Sequence, residues 1–100
     1  MSKYHVFVRP RAWKESKALP GNIRQRVRRA FDELEDEPRP AKTKALETTR
    51  TTLEVRRLRL DDWRIVYTVN EELRQVQVLT IRRRPPYDYS DLEALLGEVE

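Results

Sequence analysis

The sequence predicts a single α+β domain, residues 1–100, of order β-α-α-β-β-β-α, its antiparallel sheet packed against N-terminal helices. Three observations predict it. Apolar residues recur at spacings of three and four between Ile23 and Leu34, the signature of a helix with one buried stripe. Three β-rich segments between residues 53 and 81 are joined by short polar turns, which suit an antiparallel meander. A separate alternating segment precedes the helices at the N-terminus.

The elements follow in order. Tyr4 to Val8 reads as the first strand. Pro10 suits the first turn of a short helix over 10–18, with Ala12, Ser16 and Leu19 on one side, broken at Leu19-Pro20-Gly21. Asn22 is the expected cap of a helix from Ile23 to Glu37, whose apolar positions are Ile23, Val27, Ala30, Phe31 and Leu34. Pro38 and Pro40 end it. Residues 38–52 read as a loop anchored by Leu46. Leu53 to Leu60, Trp63 to Val69 and Gln75 to Ile81 are the meander, with turns at Asp61-Asp62 and Asn70-Glu71-Glu72. The slip in alternation at Arg56-Arg57 suggests a bulge. Ser90-Asp91-Leu92-Glu93 is a capping-box pattern, and Leu92, Leu95, Leu96 and Val99 form the stripe of a terminal helix over Asp91–Val99.

Charge narrows the function. Of 100 residues 38% are charged, with 21 Lys or Arg against 17 Asp or Glu. Five of those acids (Asp88, Asp91, Glu93, Glu98, Glu100) lie in residues 85–100, which hold no Lys or Arg. Residues 1–84 therefore set 21 basic groups against 12 acidic ones, a net of +9. A basic body with an acidic tail points to a polyanionic partner, or to a tail that covers the basic face; a solvated arginine-rich surface is the plain alternative. Without cysteine, disulfides and thiolate metal sites are excluded. His5 is the one histidine, read as a structural or surface residue. No P-loop, glycine-rich dinucleotide turn or metal motif is visible, so no cofactor and no metal are expected. No apolar stretch is long enough to span a bilayer and no signal-peptide block opens the chain, so a cytoplasmic protein is expected.

Helix 23–37 carries its charges against the macrodipole, with Arg24, Arg26, Arg28 and Arg29 early and Asp32, Glu33, Glu35, Asp36 and Glu37 late. Pairs Arg28–Asp32 and Arg29–Glu33 would recover part of the cost. In the meander, Arg57 and Arg59 share a face opposite Leu58 and Leu60, and Arg64 opposes the phase of Trp63, Ile65 and Tyr67. Arg57, Arg59 and Arg64 can gather on one face with Arg84 at its margin, a set suited to phosphate. Arg82 and Arg83 add charge, and Trp63, Tyr87 and Tyr89 offer surfaces for base stacking. An amphipathic sheet with arginine on its wet side is the alternative.

This arrangement resembles the RelE/ParE superfamily of bacterial toxin–antitoxin toxins over residues 4 to about 89. Ala18-Leu19-Pro20 resembles the turn between the family's first two helices. Arg57-Leu58-Arg59-Leu60-Asp61-Asp62-Trp63-Arg64-Ile65-Val66-Tyr67 resembles its Arg-Leu-Arg hairpin with an aromatic-Arg-Ile-Val-Tyr return. Val76 to Ile81, running into basic residues and then tyrosine, fits as well. The resemblance implies either of two activities: RelE-like members cleave mRNA in the ribosomal A site, and ParE-like members inhibit DNA gyrase. Arg82-Arg83-Arg84 with Tyr87 and Tyr89 looks more like the endoribonuclease branch.

By the resemblance, Arg64 and Arg84 match the family's catalytic arginines, Arg57 falls where many members have Lys or Arg, and Tyr87 or Tyr89 matches the catalytic tyrosine. Pro85-Pro86 departs from the charged residues of many relatives, and a second catalytic lysine, which would land near Val55, is missing. The implied activity is metal-independent: the ribose 2′-OH attacks, arginines stabilise the transition state and tyrosine is the candidate base. The implied partners are mRNA, the ribosome and a cognate antitoxin whose acidic or amphipathic segment covers the basic face or displaces the terminal helix. A catalytically inactive binding module of the same fold is the third reading.

Overall fold

Two prolines set where the helices begin. The computed structural model describes residues 3–47 and 52–83. Strand β1 (His5–Val8) leads into α1 (Pro10–Lys17), where Pro10 sits in the first turn and its missing N–H costs nothing. Helix α2 (Gly21–Asp36) starts directly after Pro20, which holds the cap position with φ −54° and ψ 148°. The capping role expected of Asn22 is thus overturned: Asn22 lies inside the first turn, and proline has no side-chain acceptor to offer.

The stripe expected on α2 is the buried one: Ile23, Val27, Ala30, Phe31 and Leu34. Ala12 and Ser16 of α1 and Leu19 after it are buried beside it. Neither ion pair expected along α2 forms among the described residues. Glu33 meets Lys42 at 3.6 Å, and Arg28 lies over the Trp13 ring at 6.0 Å.

The rest of the described chain is strand. β2 (Thr43–Leu46), β3 (Glu54–Leu60), β4 (Trp63–Asn70) and β5 (Gln75–Arg83) complete a five-stranded sheet of order β1-β5-β4-β3-β2. The three-strand meander forms as expected. Two pairings add to it. β2 occupies part of the segment read as loop, pairing antiparallel with β3 from Thr43↔Leu58 to Leu46↔Val55. It escapes periodicity because it is four residues long and its two central residues are both exposed. β1 pairs parallel with β5, from His5↔Gln75 to Val8↔Val78, so the sheet is mixed rather than wholly antiparallel.

The bulge expected at Arg56-Arg57 is also corrected. β3 and β4 stay in register through it, from Glu54↔Val69 to Leu60↔Trp63. The irregularity falls between β4 and β5: Val66 pairs with Thr80 and Tyr67 with Val78, leaving Leu79 as the extra residue. Asp61 turns the β3–β4 hairpin at φ 54°, and Arg74 closes the β4–β5 turn at φ 51°. Asn70 supports that second turn, its Oδ1 accepting from the Leu73 N–H at 3.1 Å.

Both helices pack on one face of the sheet, over Leu58, Leu60, Ile65, Tyr67, Val69, Val76, Val78 and Ile81. Truncating a fully buried member such as Leu34 to alanine costs about 2–5 kcal/mol. The Tyr67 hydroxyl donates to the Pro38 carbonyl at 2.7 Å and ties the end of α2 to the sheet. Val55, Val66 and Leu79 form a second, smaller buried cluster with Leu46 against it. The terminal helix expected over Asp91–Val99 lies outside the described residues. Among those described, no helix is long and apolar enough to cross a membrane.

Candidate nucleic-acid interface

Register decides which arginines meet. Residues paired across an antiparallel ladder share a face, and neighbouring strands lie about 4.8 Å apart. Arg59 of β3 pairs with Arg64 of β4, and Arg64 pairs with Arg82 of β5. Three guanidinium side chains therefore start in one row across three strands, on the face away from the helices. Arg57 sits two residues along β3 on the same face, opposite Val66. Its other neighbour is Lys44 of β2, an exposed lysine in the same register position.

Trp63 and Arg83 pair with each other and belong to the opposite face. Trp63 packs against the main core beside Leu60, and Arg83 is exposed. Arg57, Arg59 and Arg64 thus share a face, Arg82 joins them, and Trp63, on the opposite phase to Arg64, lies with Arg83 on the other. Arg84, Tyr87 and Tyr89 lie outside the described residues.

Arg64 is the unusual member. It is 2% exposed. Its Nη1 donates to the carbonyls of Asp61 (2.8 Å) and Trp63 (2.9 Å). Its Nε is buried with no acceptor among the described residues. Among the described residues only carbonyl dipoles hold this buried cation, an incomplete electrostatic arrangement. The neighbouring carboxylate, Asp61 at the hairpin tip, is engaged by Arg26 of α2. Arg82 is half-buried, and its Nε donates to the Thr80 hydroxyl at 3.2 Å. Arg59 is exposed.

The other end of the sheet treats the same residue type differently. Arg39 reaches Glu54 and Glu71, both at 2.8 Å, and Arg56 reaches the second oxygen of Glu54 at 2.6 Å. Hydrogen bonding to Glu54 raises the Arg39 pKa most, against the opposing effect of burial, with Glu71 and Tyr4 adding to the rise. Burial pushes the Glu54 carboxyl up, but hydrogen bonds from Arg39 and Arg56 outweigh it and hold the pKa below the ordinary value. Glu71 is held low by the Tyr4 hydroxyl, then by Arg39. A cavity of about 430 Å³ opens here, lined by Arg39, Glu54, Glu71 and Glu72 among others. Three carboxylates against one paired arginine make it a poor phosphate site, so the Arg59–Arg64–Arg82 row is the better candidate.

Other polar groups drop out on geometry. Burial raises the pKa of the Tyr67 phenol, its hydroxyl is spent on Pro38, and it is no candidate base. His5 pairs with Gln75, seven residues from Arg82 along β5, or roughly 23 Å. Among the described residues no group of three or more His, Cys, Asp and Glu is placed to hold a metal. Sequence reasoning missed Lys44 and Thr80. Lys44 lay in the segment read as loop, and the place of Thr80 depends on the bulge at Leu79.

The family described as "ParE toxin of type II toxin-antitoxin system, parDE" matches residues 6–85. A search of curated proteins found no match. The chain is similar to a chain of the archaeal RelE–RelB complex from Pyrococcus horikoshii OT3, with 30% identity and a TM-score of 0.76 over 87% of this chain and 100% of that one. It is similar to a chain of the toxin–antitoxin complex RelBE2 from Mycobacterium tuberculosis, with 26% identity and a TM-score of 0.68 over 84% and 94%. A mutant E. coli toxin RelE in the free state shares the fold, at 22% identity and a TM-score of 0.67 over 97% of each chain.

Proposed function

The chain belongs to the RelE/ParE superfamily of toxins from type II toxin–antitoxin systems, and from that premise we propose that it is an endoribonuclease that cleaves mRNA on the ribosome. One observation carries the reading: Arg59, Arg64 and Arg82 stand in a single cross-strand row, and the buried Arg64 keeps an Nε donor without an acceptor among the described residues. An RNA phosphodiester supplies what the Arg64 Nε lacks among the described residues, an acceptor, with several anionic oxygens matched to guanidinium geometry.

The chemistry uses the substrate's own nucleophile. The ribose 2′-OH loses its proton and attacks the adjacent phosphorus. The bond to the 5′ oxygen breaks, that oxygen takes up a proton, and the products are a 2′,3′-cyclic phosphate and a 5′-OH end. Charge grows on the non-bridging oxygens, and Arg64 is assigned to meet it there with Arg84. Arg57 holds the scissile phosphate, Arg59 and Arg82 the flanking backbone, with Arg83 as a contact from the other face. Guanidinium is a donor without acceptor capacity, so proton transfer falls to Tyr87 or Tyr89, by resemblance to the family. Weak acid–base groups place the burden on positioning, which a ribosome-bound, splayed mRNA provides. Since Arg64 is buried, RNA meets exposed Arg59 first and reaches Arg64 only as surface groups give way.

The similar proteins from P. horikoshii and M. tuberculosis were crystallised in complexes with their antitoxins. We assign this chain a cognate antitoxin too, whose acidic residues neutralise the arginine face. A second reading, inhibition of DNA gyrase, is favoured by the family match being to ParE. One experiment separates them. Purified protein is incubated with programmed ribosomes and mRNA, and separately with gyrase and relaxed plasmid. Cuts within codons ending in cyclic phosphate, with supercoiling unimpaired, support the nuclease. Blocked supercoiling with intact mRNA overturns it.

A further inference from the structure

Beyond Val78, strand β5 has no ladder partner on the β1 side among the described residues, because β1 ends at Val8. Helix α1 fills the gap. Its Glu15 extends a carboxylate to the open edge, and Oε1 accepts two hydrogen bonds there, from the Ile81 N–H at 2.9 Å and from the Thr80 hydroxyl at 2.8 Å. Arg11 steadies the other carboxylate oxygen at 3.6 Å.

The second of those bonds reaches the arginine row. A hydroxyl has one proton to give. With that proton committed to Glu15, the Thr80 oxygen turns its lone pairs elsewhere, and the Arg82 Nε–H donates to it at 3.2 Å. Thr80 is buried, so water does not compete for these bonds. The result is a directed chain, Arg82 to Thr80 to Glu15, that fixes the Nε edge of the guanidinium and hence its plane. We propose that Glu15, acting through Thr80, is the positioning residue that orients Arg82 toward RNA phosphate. This inference rests on the endoribonuclease reading and adds to it a residue from a helix on the far side of the sheet.

The alternative is that Glu15 serves only to seal the strand edge. Thr80→Val separates the two, since it removes the hydroxyl, keeps the shape and leaves the Glu15–Ile81 bond in place. In ribosome-dependent cleavage Thr80→Val should lower the saturated rate about tenfold, a modest fraction of what misplacing a catalytic group can cost, with the half-saturating ribosome concentration unchanged. Thr80→Ser should restore most of the rate. In the same proteins, the Arg82 Nε–Hε resonance should be sharp and slow to exchange with water in the wild type and Thr80→Ser, and fast-exchanging in Thr80→Val and Glu15→Ala. Glu15→Gln, which keeps an acceptor, should resemble the wild type.

Thr80→Val with wild-type cleavage and an unchanged Arg82 resonance overturns the proposal and leaves the nuclease reading intact. A loss of rate that Thr80→Ser does not restore, with a lowered melting temperature, makes the role structural and overturns it too. If the wild type cuts no mRNA, the nuclease reading fails. The Arg82 resonance then decides the positioning chain, slow exchange lost in Thr80→Val upholding it and unaltered exchange ending it.

Discussion

At one end of the sheet Arg39 and Arg56 are held by Glu54 and Glu71; at the other, Arg64 and Arg82 are held by carbonyls and a hydroxyl. Along β3, Glu54 lies five residues from Arg59, roughly 17 Å, and Arg56 three residues, roughly 10 Å. The two sets differ in their acceptors. Carboxylates cancel the first set and turn it into a clamp between α2, the following segment and the sheet. In the second set, the buried Arg64 has carbonyl acceptors and no carboxylate partner among the described residues. Arginine count alone does not distinguish a structural cluster from a binding one; the identity of the acceptors does.

The sharpest way to break this comparison is to exchange the consequences. Arg64→Ala should lower ribosome-dependent cleavage about 10²–10³-fold, while urea unfolding changes little, because a buried cation without a carboxylate contributes little to stability. Arg39→Ala should do the reverse. It leaves Glu54 without one of its two arginines and is expected to cost about 1–2 kcal/mol, a figure kept low because the Arg39 side chain is one-third exposed. Cleavage by that variant should match wild type when assayed well below its melting temperature. If Arg39→Ala abolishes cleavage and Arg64→Ala only destabilises, the assignment of the two ends is reversed.

Smaller effects sharpen the contrast. Tyr67→Phe orphans the Pro38 carbonyl and should lower stability by about 1 kcal/mol in urea titration, without effect on RNA. The carboxylate clamp has a defined pH window. The folded pKa values of Glu54 and Glu71 lie below their ordinary value of 4.5. Their contribution is therefore complete above that value and disappears as pH falls below it. The stability difference between wild type and Arg39→Ala should be full at pH 7 and shrink progressively as pH falls below 4.5. Smallest of all, Arg59→Gln should reduce the slope of log affinity against log salt for a non-cleavable oligoribonucleotide by about 0.7, as expected for one phosphate contact on a single strand. A slope that stays unchanged removes Arg59 from the interface.

The legible parts of the sequence were those written locally. The α2 stripe, the meander and the shared face of Arg57, Arg59 and Arg64 all follow from periods of 3.6 and 2 and from short turns. What stayed hidden depended on distant pairing. Nothing near Thr43 marks it as the start of a strand until β3 lies beside it. Nothing in His5–Val8 announces a parallel partner 70 residues on. Asn22 had the chemistry of a cap, but proline geometry at position 20 set the helix start first. Arg82 read as part of a basic run with Arg83, although the pleat sends the two to opposite faces. Glu15 carried no signal at all, because its partners belong to the last described strand.

The parallel pairing of β1 with β5 also bears on synthesis. His5–Val8 leaves the ribosome 70 residues ahead of its ladder partner, Gln75–Val78. The central strand of the arginine row likewise waits for Arg82 before the row is whole. Contacts of such long sequence separation form late and slowly. In a nascent chain Arg59, Arg64 and Arg82 therefore remain separate charges until β5 has been made and paired.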